Sequence, residues 1–130
     1  MGITTTGAAE LANLCGGVSS PTAFTYVACG TGSTAFAIAQ TALIAEISDS
    51  GLARAAATVT RTTTTTTNDT TQWAKTWTAS GTKTVAEVGV FNDASAGTML
   101  GRTVLGSARA LTSGDTVSYT HLTLPTILRV

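Results

Sequence analysis

Residues 84–105, TVAEVGVFNDASAGTMLGRTVL, constrain the fold more than any other part of the chain. Two short apolar runs, residues 85–91 and 99–105, flank the turn-rich residues 92–98. Asn-Asp, Ser and Gly in that connection supply local side-chain bonding and positive φ, so the spacing predicts a β-hairpin. Alternation places Ala86, Val88 and Val90 on one face and Glu87 on the other. On the return strand Met99, Gly101, Thr103 and Leu105 alternate with Arg102. One face can be buried and the other, carrying Glu87 and Arg102, wetted. Such a hairpin is half of a packed sheet and needs a second layer to cover it.

The remaining segments supply that layer. Residues 6–15 (TGAAELANLC) predict a short helix, capped by Thr6 or Gly7, favoured by Glu10 in its first turn and ended by Gly16-Gly17. Leu11, Leu14, Cys15 and Val18 fall on one side of it, ready to cover a sheet. After Pro21, residues 23–29 (AFTYVAC) read as a strand. The Gly-rich residues 30–35 follow, and a second short helix is expected near residues 41–47. Residues 52–67 (LARAAATVTRTTTTTT) end in six threonines, whose β-branching favours extended structure over a disordered linker. Asn68-Asp69 turns the chain, and residues 70–79 (TTQWAKTWTA) return with Trp73, Lys75 and Trp77 on one face. Turns recur about every 8–12 residues, the spacing of a sandwich. The expected architecture is mainly β: an antiparallel β-sandwich of about 6–8 strands, with a short N-terminal helix and the second short helix after the Gly turn.

Some of these residues imitate the patterns of known chemistries. Gly30-x-Gly32-x-x-Ala35 after a strand, with Asp49 further on, imitates a dinucleotide-binding fingerprint, in which a tight turn delivers pyrophosphate to a helix N-terminus. No second βα unit follows, so turn chemistry is the better reading. The seven carboxylates (Glu10, Glu46, Asp49, Asp69, Glu87, Asp93, Asp115) are scattered singly, and four of them occupy turn contexts. The one histidine, His121, lies near the C-terminus, and neither a Walker loop nor a metal-ligand cluster is present. Cys15 and Cys29 lack the spacing of a zinc site; they either pair or stay as buried thiols, the plainer reading. The sequence therefore predicts no enzyme, no cofactor and no metal site.

Composition sets the partners. Seven basic and seven acidic residues give no net charge, and only 11% of residues are charged, which argues against an electrostatic nucleic-acid binder. No stretch reaches the roughly 20 apolar residues of a membrane helix, and the N-terminus lacks the pattern of a signal peptide. Much of the 43% hydrophobic content is alanine, so the core is expected to be thin and to lean on partner chains. Trp73 and Trp77 are the candidate ligand or interface residues. Exposed, they would form a sugar-stacking platform; burial in the core or a subunit interface is the more ordinary fate of tryptophan. Asn68-Asp69-Thr70 matches a glycosylation acceptor but is read as a turn.

Residues 117–126, VSYTHLTLPT, resemble one translated frame of a widely used transposase sequencing adapter. They hold His121, and Pro125 interrupts what should be a closing strand. The expectation is a single β-sandwich domain over residues 1–116 and a non-native read-through tail over 117–130.

The order of LANLCGG, FTYVACGTGSTA, GLAR, the GVFNDASAGTML hairpin and LTSGDTV resembles a family of small tailed-bacteriophage virion proteins of the tail-fibre or particle-surface type. The resemblance covers roughly residues 11–116, and its signatures are structural, so no catalytic residue carries over. It implies a non-enzymatic exterior tail or fibre component of the virion, assembled in the host cytoplasm, whose partners are copies of itself and other virion proteins. A capsid decoration protein is the alternative. A carbohydrate-binding module using Trp73 and Trp77, with a host-surface glycan as partner, is the second.

Overall fold

In the computed structural model, which describes residues 1–123, the chain forms two antiparallel sheets and one helix. The five-stranded sheet has the order β1-β7-β6-β2-β3: β1 (Gly2–Ile3), β7 (Met99–Leu111), β6 (Lys83–Phe91), β2 (Tyr26–Gly30) and β3 (Ala55–Ala56). The three-stranded sheet has the order β4-β5-β8: β4 (Thr58–Thr62), β5 (Thr70–Thr78) and β8 (Thr116–Thr123). Mainly-β architecture with an N-terminal helix is thus what the sequence pattern specified.

The hairpin forms as its turn chemistry requires. Val90 opposes Gly101 and Phe91 opposes Met99. Asn92 closes the connection, its backbone N–H donating to Thr98 O and its Oδ1 accepting from Thr98 N at 2.7 Å. β7 runs longer than the alternation indicated, to Leu111, but with an irregularity. Between the pairs Glu87–Val104 and Val85–Arg109, a single residue of β6 faces four of β7.

Between the sheets Val27, Cys29, Val88, Val90 and Leu100 pack against Trp73, Trp77 and Leu52. On the outer face of the larger sheet, Ala28, Phe91 and Met99 pack under Leu43 in a second, smaller cluster. The sheet is therefore covered on both faces. The single wetted face expected for the hairpin is corrected: Glu87 and Arg102 are both fully buried.

The helix α1 (Thr5–Gly16) is capped by Thr4, not by Thr6 or Gly7. Thr4 Oγ1 accepts from Gly7 N and donates to Met99 O at 2.6 Å, so one hydroxyl joins cap and sheet. A Cβ on Gly7 would meet Leu100 O at 2.4 Å, which is why the helix lies so close to β7. Gly17, at φ 62°, ends the helix. Leu11 and Leu14 pack on the core, whereas Cys15 and Val18, expected beside them, are exposed. Glu10 accepts Thr22 N instead of supporting the first turn.

The second helix expected at residues 41–47 does not form. That segment is an irregular crossover, tied to the sheet by a bridge between Gly30 and Glu46 and by Ile47 N donating to Cys29 O. Of the threonine tract, only Thr62 ends a strand. Residues 63–68 turn, held by Asp69, whose carboxylate accepts the N–H groups of Thr64, Thr65 and Thr66. Residues 116–123 form β8, in register with β5 from Thr116–Thr78 to Thr123–Thr71. Pro125 and the rest of the tail lie outside the described residues.

Candidate functional site

The most elaborate polar construction lies on the outer face of the larger sheet, where Glu87 and Arg102 pair beneath the crossover of residues 31–46. Neither side chain has exposed surface, so each lone pair and N–H needs a partner in the protein. Glu87 accepts Gly32 N at 3.3 Å, Ala45 N at 2.8 Å and Ile44 N at 3.1 Å, besides Arg102 Nε. Arg102 Nη1 donates to Thr34 O at 2.7 Å and to Gln40 Oε1 at 3.3 Å.

These bonds explain the glycine pattern that imitates a nucleotide fingerprint. A Cβ on Gly30 would come within 2.4 Å of Glu87 Oε1, and one on Gly32 within 2.8 Å. The glycines do make room for an anion beside backbone amides. The anion is the protein's own carboxylate.

The crossover is tied down by these bonds and shows an apolar surface. Ile38 and Ile44 are 64% and 47% exposed, and Ala35, Ala37, Ala39 and Ala42 are exposed with them. Beside it, Met1, Gly2, Ser33, Phe36, Arg102 and Val104 line an open concavity of about 500 Å³.

A second node joins two motifs the sequence singled out separately, GLAR and the hairpin turn. Arg54 stacks on the Phe91 ring at 3.6 Å, pairs with Glu46 at 2.6 Å and donates to Asp93 O and Ala96 O at 3.1 and 2.8 Å. That grip stabilises a turn in which Ala96 adopts φ 52°, a costly conformation for a residue with a Cβ.

Trp73 and Trp77 lie between the sheets, 5% and 4% exposed. Their indole N–H groups donate to Phe24 O at 2.7 Å and Ala53 O at 3.0 Å. Each indole is thus a core side chain with its polar edge satisfied, and neither presents a face on which a sugar could stack. The structure brings neither to the concavity.

All seven carboxylates are engaged structurally. Glu87, Glu46 and Asp49 pair with Arg102, Arg54 and Lys83, while Glu10, Asp69, Asp93 and Asp115 accept backbone N–H groups. Among the described residues no group of His, Cys, Asp and Glu could hold a metal ion. Cys15 and Cys29 are free, and burial pushes the Cys29 thiol up to about 11, away from nucleophilic use. Sequence reasoning missed Glu87 and Arg102 as a site, although a charged residue at the centre of each strand of an apolar hairpin was a signal.

A family model described as podophage GP4 fiber I protein gp80 matches residues 2–125. No curated protein matches the chain.

Proposed function

We infer that this chain, which belongs to the podophage GP4 fiber I protein family, works in the particle by associating with copies of itself on the exterior of the tail or fibre. It is a structural, non-enzymatic fibre component and part of the virion, where it assembles with other virion proteins. The observation that carries the self-association is the surface left after folding. The carboxylates are spent on internal bonds, net charge is zero, and the fixed crossover presents Ile38 and Ile44 to solvent. A neutral apolar surface of this kind does not repel a second copy and gains by being covered.

Two measurements test this. Static light scattering of the purified chain is expected to show oligomers at micromolar concentration; a monomer at the highest soluble concentration contradicts the reading. Fractionated particles are expected to carry the chain with tails. Recovery only with tail-less heads favours capsid decoration instead. The glycan-binding alternative needs an exposed indole, and the burial of Trp73 and Trp77 leaves it without support.

For residues 117–130 we propose the read-through origin that the adapter resemblance suggests, with residues 1–116 as the native domain. The segment fills β8 imperfectly: the Tyr119 hydroxyl is buried beside that of Thr103, and burial raises its pKa. The family match runs through it to residue 125, and sequencing the gene across its 3′ end tests the origin.

A further inference from the structure

The larger sheet closes one of its two sides almost completely. There β3 is two residues long, and beyond it β2 is bonded to the crossover, through the bridge between Gly30 and Glu46 and through Ile47 N donating to Cys29 O. On the other side β1 covers β7 only at Gly101 and Arg102. From Thr103 to Leu111 the outer edge of β7 has no backbone partner among the described residues. β7 is 13 residues long, roughly twice the usual strand. A flat edge of that length would present a row of unpaired N–H and C=O groups to any extended chain.

The edge is not flat. Ala86 of β6 faces Leu105, Gly106, Ser107 and Ala108 of β7, so three residues are extra. Gly106, Ser107 and Ala108 are exposed, and a Cβ on Gly106 would meet nothing within 4 Å. A bulge interrupts the even spacing of donors and acceptors and increases the local twist, so a straight strand cannot follow the edge past it. Arg109 comes next, exposed and in none of the ion pairs among the described residues. A strand laid there would have to strip water from its charge. The ladder does not need the extra residues. Without them Leu105 would oppose Ala86, and Val104 and Arg109 would keep their present partners Glu87 and Val85.

We propose that the bulge at residues 105–108, together with Arg109, is a guard that stops strand addition at the β7 edge. The chain then meets other copies, and other virion proteins, without extending its larger sheet. The guard goes beyond the self-association inferred above and does not depend on it, since it acts alike on a monomer and on an oligomer.

The test removes the guard from the full chain. Deleting Gly106, Ser107 and Ala108 straightens the edge. Far-UV circular dichroism and cooperative thermal unfolding show whether the variant folds. If it does not, Ser107 and Ala108 alone are deleted and Arg109→Val is added. The folded deletion variant is expected to show a several-fold rise in mass over the wild type by light scattering, and to bind thioflavin T. Adding Val104→Lys to the same deletion is expected to return the mass to the wild-type value, because a lysine on an open edge blocks pairing. A folded deletion variant that keeps the wild-type mass overturns the guard. So does growth that Val104→Lys leaves unchanged, since the new contact then lies elsewhere. A monomeric wild type contradicts the self-association alone, because the guard is read from the difference between wild type and variant.

Discussion

The carboxylate of Glu87 and the guanidinium of Arg102 meet with no exposed surface on either side chain, and together they hold five backbone or side-chain groups of residues 31–46 against the sheet. A buried pair of this kind is strongly destabilising to break, at about 3–5 kcal/mol, because removing one partner leaves the other charge buried alone. Arg102→Met is expected to lose stability in that range by urea denaturation. Replacing both charges with apolar residues often restores stability elsewhere. Here the double variant Glu87→Leu/Arg102→Met is expected to stay as unstable as the single one, since Gly32, Ile44 and Ala45 would keep three N–H groups without acceptors. Limited proteolysis is expected to cut both variants within residues 31–46 first.

Arg54 supports the hairpin turn by three separate means: a ring stack, an ion pair and two carbonyl bonds. Arg54→Ala is expected to cost about 2 kcal/mol, the sum of modest contributions at a largely buried site. Arg54→Lys is expected to recover little of it. An ammonium cannot span Glu46 and two carbonyls while lying flat on Phe91. Recovery to wild-type stability by lysine would show that charge alone matters.

The hairpin and β5 were legible because their information is local: residue alternation and turn chemistry lie within a few positions of each other. What the sequence hid is contact across long separations. Glu87 binds an arginine 15 residues later and amides 42, 43 and 55 residues earlier, so nothing near it shows that its face is covered. The same contacts explain the missing helix. Residues 41–47 have acceptable helix propensity, but the amides of Ile44 and Ala45 are taken by Glu87, and tertiary bonding overrides a weak local preference. The helix cap was misplaced by two residues for a related reason. Thr4 is chosen over Thr6 because only its hydroxyl also reaches Met99 O.

Asp69 gives the threonine tract its shape and a pH dependence. Three backbone N–H groups and the Thr70 hydroxyl donate to it, and the Thr66 and Thr64 amides chiefly hold its carboxyl below the ordinary 3.8. A carboxyl depressed in the folded state stabilises at pH above its unfolded value, and that contribution is lost as pH falls through the folded value. Asp49 and Glu10 are lowered as well, by Lys83 and by the Thr22 amide respectively, and act with the same sign. The urea midpoint is expected to hold from about pH 7 to 5 and to fall below about pH 4. Asp69→Asn is expected to be less stable at neutral pH, with a shallower loss in acid.

The two cysteines differ in environment, so a thiol reagent separates them. Cys15 is exposed, while Cys29 is buried and donates from Sγ to Leu52 O at 3.3 Å. In the native protein one thiol is expected to react promptly and the second only on unfolding. No reaction before reduction would mean that the thiols are oxidised.

The last strand tests the origin of the tail. Val117 and Tyr119 pack against the core, and His121 stacks on Tyr119 at 6.0 Å and lies 6.3 Å from Trp73. Burial lowers the pKa of His121 and raises that of Tyr119, so this side of β8 places two polar rings where β5 presents tryptophan. Trp77 opposes Val117 and Trp73 opposes His121, and a strand selected for this slot is expected to carry an apolar residue at both positions. Sequencing the gene across its 3′ end is expected to replace VSYTHLTLPT with such a strand directly after the Gly114-Asp115 turn. The corrected chain is expected to unfold at higher urea than the present one, because the buried Tyr119 hydroxyl disappears with the tail. An in-frame VSYTHLTLPT in the gene would make residues 117–126 native and His121 a genuine neighbour of Trp73.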